Sequence, residues 1–366
     1  MIPWDTPSTE ILLNPRMPSD EAMRVRSLID RAPPLAGHVW LTTSGSTGRL
    51  KPVALSKRAL LVSAAAVNRH LESDAQDVWL NVLPTFHVGG LGIHARGHLS
   101  GARVVAVDAW SVETFMAALA SHGVTLTALV PTQVFDIVRA GRTPPPSLRA
   151  LVVGGGALDE RLYRRARDLG WPLLPSYGAT ECGSQIATAD LASLRHEVFP
   201  PLPLLAHVTA RTDPDGRLSI RSDALFTGYA TETGLDDPKQ DGWWRTDDQG
   251  VVADRVISVS GRADDTVKVG GELVNLSVLE SKLADVTTTV APDTDAALFA
   301  APDVRLGHVI ALAVATTDVH VADRLLQVFN ATVLPYERAR MVRCVNTIPR
   351  TALGKVRRAD LSDAAQ

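Results

Sequence analysis

Between residue 36 and about residue 176, hydrophobic positions fall in short solid runs, and the stretches between them carry apolar residues at helical spacing. His38-Val39-Trp40-Leu41, Val78-Trp79-Leu80-Asn81-Val82-Leu83, Arg103-Val104-Val105-Ala106-Val107, Leu126-Thr127-Ala128-Leu129-Val130 and Leu148-Arg149-Ala150-Leu151-Val152-Val153 read as buried strands. Helices are predicted near 56–72, 88–100, 111–122, 131–140 and 159–169, with Ser56, Ser111 and Asp159 as N-caps. This alternation implies an α/β fold, with layers around a mostly parallel sheet. Residues 205–260 change character. Short alternating segments and the turn signal Asp213-Pro214-Asp215-Gly216 predict a small antiparallel region. Thr143-Pro144-Pro145-Pro146 reads as a stiff surface connector. A boundary is expected between Gly261 and Asp265. The remaining stretch, with the run Val309-Ile310-Ala311-Leu312-Ala313-Val314 and a helix near 321–333, suits a small α+β domain. The expected domains are therefore 1–260 and 261–366.

Composition narrows the classes. The chain has 366 residues, 45% of them hydrophobic, and a net charge of −3, so it can build substantial cores and shows no nucleic-acid footprint. Its two cysteines, Cys182 and Cys344, form no disulfide framework and fit a reducing, cytoplasmic setting. Met1-Ile2-Pro3-Trp4-Asp5 lacks the basic and apolar regions of a signal peptide. No apolar stretch approaches the ~18 residues of a membrane span. The ten histidines show no spaced ligand cluster, so no zinc site is expected.

One loop carries the strongest chemical signal. After the His38–Leu41 run come Thr43, Ser44, Gly45, Ser46, Thr47, Gly48 and, beyond Arg49 and Leu50, Lys51. Glycines let backbone N–H groups turn towards an anion, hydroxyls add donors, and the lysine adds charge. This composition suits phosphate. It is not a Walker A loop, because Lys51 neither follows a glycine directly nor precedes Ser or Thr. Taken alone, such a loop is as often a flexible polar turn.

It does not stand alone. Leu83-Pro84-Thr85-Phe86-His87-Val88-Gly89-Gly90, Tyr177-Gly178-Ala179-Thr180-Glu181, Gly242-Trp243-Trp244-Arg245-Thr246-Asp247-Asp248, Gly261-Arg262-Ala263-Asp264-Asp265-Thr266-Val267-Lys268-Val269-Gly270-Gly271-Glu272 and Pro349-Arg350-Thr351-Ala352-Leu353-Gly354-Lys355 follow in order. From about residue 36 to its end the chain resembles the adenylate-forming acyl- and aryl-CoA synthetase family. Phe86–Gly90 and Ser184-Gln185-Ile186 are most similar to its o-succinylbenzoate–CoA ligase branch, which serves menaquinone biosynthesis. Two departures stand out. The phosphate loop begins only at Thr43, so an N-terminal subdomain is expected to be reduced or missing. Asp247 stands where relatives usually carry glycine.

The resemblance implies an enzyme that uses ATP and Mg²⁺ to adenylate an aromatic acid and passes the acyl group to coenzyme A. It implies a C-terminal lid that swings between the two half-reactions. Lys355 matches the adenylation lysine, Glu181 the Mg²⁺ ligand and Asp264 the hinge. Thr43 to Gly48 and Lys51 would hold the β- and γ-phosphates, and Ser176, Tyr177, Gly178, Ala179 and Thr180 belong to the nucleotide motif. Asp248 would accept from the ribose hydroxyls, with Arg262 in support. Gly154, Gly155, Gly156 and Ala157 form a candidate adenine wall that is equally a strand-to-helix turn. Lys268, Gly270 and Gly271 would line a pantetheine channel or form an ordinary hairpin turn. His87 is either structural or a gate to the acyl pocket. Ser184, Gln185 and Arg96 are expected at the acid. Arg96 sits among Leu91, Ile93, Ala95 and Leu99 on a helix expected to be largely buried, so it needs an anion or an exposed tip. Other readings are another acyl or aryl acid–CoA ligase, a carrier-protein-directed adenylating enzyme, and a nucleotide-binding regulator without catalysis. A homodimer is compatible with all of them.

Overall fold

The computed structural model describes residues 2–44, 50–262, 265–269, 272–303, 306–351, 354 and 356–363. The apolar runs become strands Val78–Asn81, Arg103–Ala106, Leu126–Leu129, Ala150–Val153 and Leu173–Ala179, parallel to one another and closed by the antiparallel strand Ser184–Thr188. Their order across the sheet puts Val78–Asn81 second, beside Arg103–Ala106, followed by Leu126–Leu129, Ala150–Val153, Leu173–Ala179 and Ser184–Thr188. Helices Lys57–His70, Val88–Ser100, Val112–His122, Pro131–Arg139 and Glu160–Asp168 lie where their periodicity put them. The three expected caps form: Ser56 Oγ accepts from Ala59 N–H, Ser111 Oγ from Thr114 N–H, and Asp159 from the N–H groups of Arg161 and Leu162.

Two clusters pack the sheet. One centres on Leu80, Leu129, Leu151, Tyr163 and Trp171, the other on Val67, Trp79, Ile93, Val152 and Leu174. A second sheet joins Glu10–Ile11, His38–Ser44, Leu50–Ser56, Gly228–Thr231 and Gly234–Asp236 in that order. His38–Ser44 and Leu50–Ser56 are antiparallel partners, so the candidate phosphate segment joins two hairpin strands rather than a strand and a helix. Lys57 is 3% exposed, and its ammonium donates to Pro3 O, Thr6 O and Ser8 Oγ, pinning the N-terminal segment to this sheet.

The antiparallel region expected at 205–260 exists as strands Leu202–Pro203, Val256–Arg262, Trp244–Ala253, Arg217–Arg221 and Thr209–Thr212, with Gly216 at φ +82° in the turn between the last two. Gly228–Thr231 and Gly234–Asp236 differ from expectation. They leave that region: Gly228–Thr231 pairs with Leu50–Ser56 of the hairpin, and Gly234–Asp236 pairs in turn with Gly228–Thr231. The helix Ser19–Arg31 was also not legible. It is mostly polar and buries only Val25, Leu28 and Ile29.

The chain divides into two compact units. The first comprises 1–213, 218–246 and 251–258, and the second 214–217, 247–250 and 259–366. In the second, strands Glu272–Asn275, Thr266–Val269, Gly307–Ala315 and Ala296–Asp303 form a sheet joined by Ala339–Val345. Helices Leu276–Val290 and Val319–Thr332 pack on it through Leu279, Leu283, Leu325 and Phe329. Among the described residues no helix is long and apolar enough to cross a membrane.

Candidate active site

Three candidate segments of the first unit follow the carboxyl ends of parallel strands, where open α/β sheets place their ligands. His87 comes after Val78–Asn81, Gly154 to Ala157 after Ala150–Val153, and Thr180-Glu181 after Leu173–Ala179. Asn81 makes the first turn. Its Oδ1 accepts from Leu83 N–H and its Nδ2 donates to Gly90 O, ending the strand two residues before the apolar run does. Gly90 closes the corner, since a Cβ there would lie 2.4 Å from Leu83 O and Pro84 O. His87 then caps the helix Val88–Ser100 with extended backbone. Burial lowers its pKa, so the ring is neutral at pH 7, and its Nε2 has no hydrogen-bond partner among the described residues.

Arg96 occupies the middle of that helix and is 1% exposed. Its Cζ lies 5.2 Å from the centre of the Trp79 ring, and Nη2 is 3.4 Å from Ser184 Oγ. Nε and Nη1 find no partner among the described residues. Burial pulls the guanidinium pKa down to about 10, which leaves it charged at neutral pH. The side chain thus neither reaches solvent nor pairs with a protein carboxylate within the described structure. Leu99, one of its apolar neighbours in sequence, is 44% exposed, because the buried face ends before it.

Ser184 opens the antiparallel strand at φ +142°, an uncommon backbone for a serine. Gln185 is buried beside it and accepts from Thr188 Oγ1 at 2.5 Å. Opposite, Gly178 has no room for a Cβ, which would lie 2.1 Å from Ser184 O. Ser176 Oγ bonds Ala187 O and Thr188 Oγ1, and Tyr177 packs on the neighbouring core. The strand then tightens into the short 3₁₀ turn Thr180–Cys182, which leaves Glu181 only 9% exposed. Tyr229 donates to Glu181 Oε1 at 3.0 Å. Gly154, Gly155, Gly156 and Ala157 form an open turn, with Gly155 at φ +80°. Thr43 pairs with Lys51 across the hairpin. Gly45 to Gly48 lie outside the described residues, as does the side chain of Ser44.

Hydroxyl- and lysine-bearing strands beside a buried carboxylate, at the carboxyl edge of a parallel sheet, suit a nucleotide and its metal. The AMP-binding enzyme family matches residues 20–230. The chain belongs to that family. It is 30% identical over 339 residues to the indoleacetate–CoA ligase of Aromatoleum aromaticum, covering 87% of this chain and 65% of that protein. It is 26% identical over 332 residues to the 2-succinylbenzoate–CoA ligase of Bacillus cereus, covering 87% and 68%. The o-succinylbenzoate CoA synthetase of Bacillus subtilis, solved with ATP and magnesium ion, superposes with TM-score 0.77 at 25% identity, covering 88% and 69%. The chain thus spans about two thirds of the length of these relatives, and less than that of the first.

The second unit of this AMP-binding chain holds the remaining described candidates. Arg262 lies 3.7 Å from Asp248 and 3.5 Å from Asp247, and Arg217 reaches Asp247 at 3.4 Å. Asp264, Gly270, Gly271 and Lys355 lie outside the described residues, as does the Lys268 side chain. Trp79, Gly92, Arg217 and Tyr229 were missed from the sequence. Gly92 matters because a Cβ there would sit 3.3 Å from Arg96 Nη2. Its only sequence signal is its place four residues before Arg96, one helical turn away.

Proposed function

We propose that this chain is an ATP- and Mg²⁺-dependent acid–CoA ligase acting on o-succinylbenzoate in the cytoplasm. In the first half-reaction a carboxylate oxygen attacks the α-phosphorus of ATP and the bond to pyrophosphate breaks. In the second, the thiol of coenzyme A loses its proton, its sulfur bonds the acyl carbon and AMP leaves. An acid with a pKa of about 4 is already ionised, so the first half needs no general base. It needs alignment and relief of anion repulsion. Lys51 and the Thr43–Gly48 loop would take the terminal phosphates, Lys355 the charge at the reacting centre, and Asp248 with Arg262 the ribose. Glu181 supplies the hard carboxylate oxygen that suits Mg²⁺, and the bound ion would neutralise phosphate charge. Asp264 would be the hinge, with Lys268, Gly270 and Gly271 facing the pantetheine arm.

The observation that carries the choice of acid is Arg96, a buried guanidinium with two nitrogens lacking protein partners among the described residues. o-Succinylbenzoate has two carboxylates and only one is activated. The other matches the planar fork of an arginine. The similarity to an indoleacetate–CoA ligase favours a second reading, a monocarboxylic aryl acid. That acid would spend its only carboxylate in activation and leave Arg96 unneutralised. Pyrophosphate release with o-succinylbenzoate, indoleacetate and other aryl acids, with and without coenzyme A, decides between them. The expected result is preference for the dicarboxylate and a CoA thioester product. Preference for indoleacetate would overturn the choice of acid, and product formed only with an acyl carrier would overturn the choice of acceptor.

A further inference from the structure

Tyr229 lies on the strand Gly228–Thr231, opposite Val53 of Leu50–Ser56. Lys51, two residues before Val53, shares a face with it, so Lys51 and Tyr229 are diagonal neighbours on one side of the sheet. The Lys51 ammonium lies 5.7 Å from the centre of the Tyr229 ring. The hydroxyl at the other end of that ring donates to Glu181 Oε1 at 3.0 Å. The ring is itself held. Phe226 packs against it at 4.7 Å between centroids, and Trp244 packs edge-on against Phe226 at 5.8 Å. Phe226 N–H also donates to Glu181 O at 2.8 Å, so the backbone of the 3₁₀ turn is anchored to the same aromatic segment.

We propose that Tyr229 is a positioning residue that sets both the metal-binding carboxylate of Glu181 and the phosphate-binding ammonium of Lys51. The proposal rests on the adenylate-forming reading. One rigid side chain with two torsions touches both groups, so their separation follows the ring rather than two independent flexible chains. The donated hydrogen bond engages Oε1 and orients the carboxylate, as partners of metal ligands commonly do. The ring face attracts the ammonium and restrains a long stem that otherwise samples many rotamers.

The test measures metal and nucleotide binding directly on the full chain, with Mn²⁺ followed by electron paramagnetic resonance in the presence of a non-hydrolysable ATP analogue. Tyr229→Phe keeps the ring and removes the hydroxyl. It is expected to weaken Mn²⁺ binding by about tenfold or more, with metal-free nucleotide affinity and melting temperature unchanged. Tyr229→Leu is expected to weaken metal-free nucleotide binding as well, because Lys51 loses its ring. In a Glu181→Gln background, Tyr229→Phe should have no further effect on metal binding, which separates action through Glu181 from general loosening. Mn²⁺ binding by Tyr229→Phe within twofold of wild type overturns the proposal while leaving the enzyme reading intact. A wild type that binds neither metal nor nucleotide overturns that reading, and this proposal with it.

Discussion

The Arg96 guanidinium rests with its Cζ 5.2 Å from the centre of the Trp79 ring, buried and without a carboxylate partner among the described residues. An uncompensated charge in such a place costs stability and persists where a ligand supplies the counter-charge.

Arg96→Met should therefore move stability and function in opposite directions. The urea midpoint should rise, since an unpaired buried charge gives way to an apolar side chain. The KM for o-succinylbenzoate should rise by an amount worth about 2–4 kcal/mol, while that for a 2-acylbenzoate with one carboxylate stays near wild type. Equal losses with both acids would place the second carboxylate elsewhere, with His87, Ser184 and Gln185 the next residues to test.

Gly178→Ala tests why the nucleotide motif carries glycine. The added Cβ would meet backbone, Ser184 O at 2.1 Å and Ser184 C at 2.8 Å, and neither can rotate away. The strands must separate, at a cost of about 1–3 kcal/mol, and Glu181 moves with them. Thermal melting should show the loss, and pyrophosphate release should fall further than stability alone accounts for. A variant with wild-type melting and activity would mean that the strand pair tolerates the shift.

Much of this was legible because it is local. Ser56, Ser111 and Asp159 cap helices through residues two or three positions away, and a linear reading sees that distance. The central strands were legible because they are apolar on both faces, whereas Arg103–Ala106, expected as a buried strand, lies at the sheet edge with Arg103 and Ala106 exposed and Val104 and Val105 only partly covered. What could not be read is register between distant segments. Nothing near Tyr229 announces that it pairs with Val53, and nothing near Arg96 announces Trp79 beneath it. The helix Ser19–Arg31 was hidden by its own polarity, since three buried side chains mark only one narrow stripe.

His207 gives the fold an acid limit. Neither ring nitrogen has a hydrogen-bond partner among the described residues, and burial pushes the pKa down to about 4 from an ordinary 6.5. The folded state therefore holds the ring neutral while the unfolded chain takes up a proton below pH 6.5. Its contribution to stability is complete above that pH and is lost progressively as pH falls from about 6.5 towards 4. Urea midpoints measured across this window should fall for the wild type and fall less steeply for His207→Phe. Parallel slopes would exclude His207 as the group responsible.

Lys355→Ala separates the half-reactions. By resemblance, the motif Pro349–Lys355 would assign this lysine to the adenylation step, where its charge would meet developing negative charge. Adenylation should drop by about 10²-fold or more, whereas thioester formation from supplied acyl-adenylate should be largely retained. Equal loss in both steps, measured in single turnovers, would remove that assignment.

By resemblance Asp247 takes the place of a glycine, and such a replacement can act in two ways, by repelling the nucleotide or by straining a turn. Strain is not the answer. Asp247 lies in the strand Trp244–Ala253 and is not among the residues with positive φ. Repulsion is weakened by its surroundings, since Arg217 and Arg262 approach its two oxygens at 3.4 and 3.5 Å. Arg262 also reaches Asp248 at 3.7 Å, so the two carboxylates share one guanidinium. Removing Asp247 leaves Arg262 to Asp248. The pairs are half-exposed, and such pairs are worth at most about 1 kcal/mol. Asp247→Gly should therefore change the KM for ATP by less than about fivefold, and raising the salt concentration should shrink that change further. Asp248→Asn, at the proposed ribose acceptor, should raise the same KM by more. A tenfold fall in KM on Asp247→Gly would show that its charge reaches the nucleotide despite both arginines. A tenfold rise would make Asp247 a working part of the nucleotide site, with Arg262 held in place by two carboxylates rather than one.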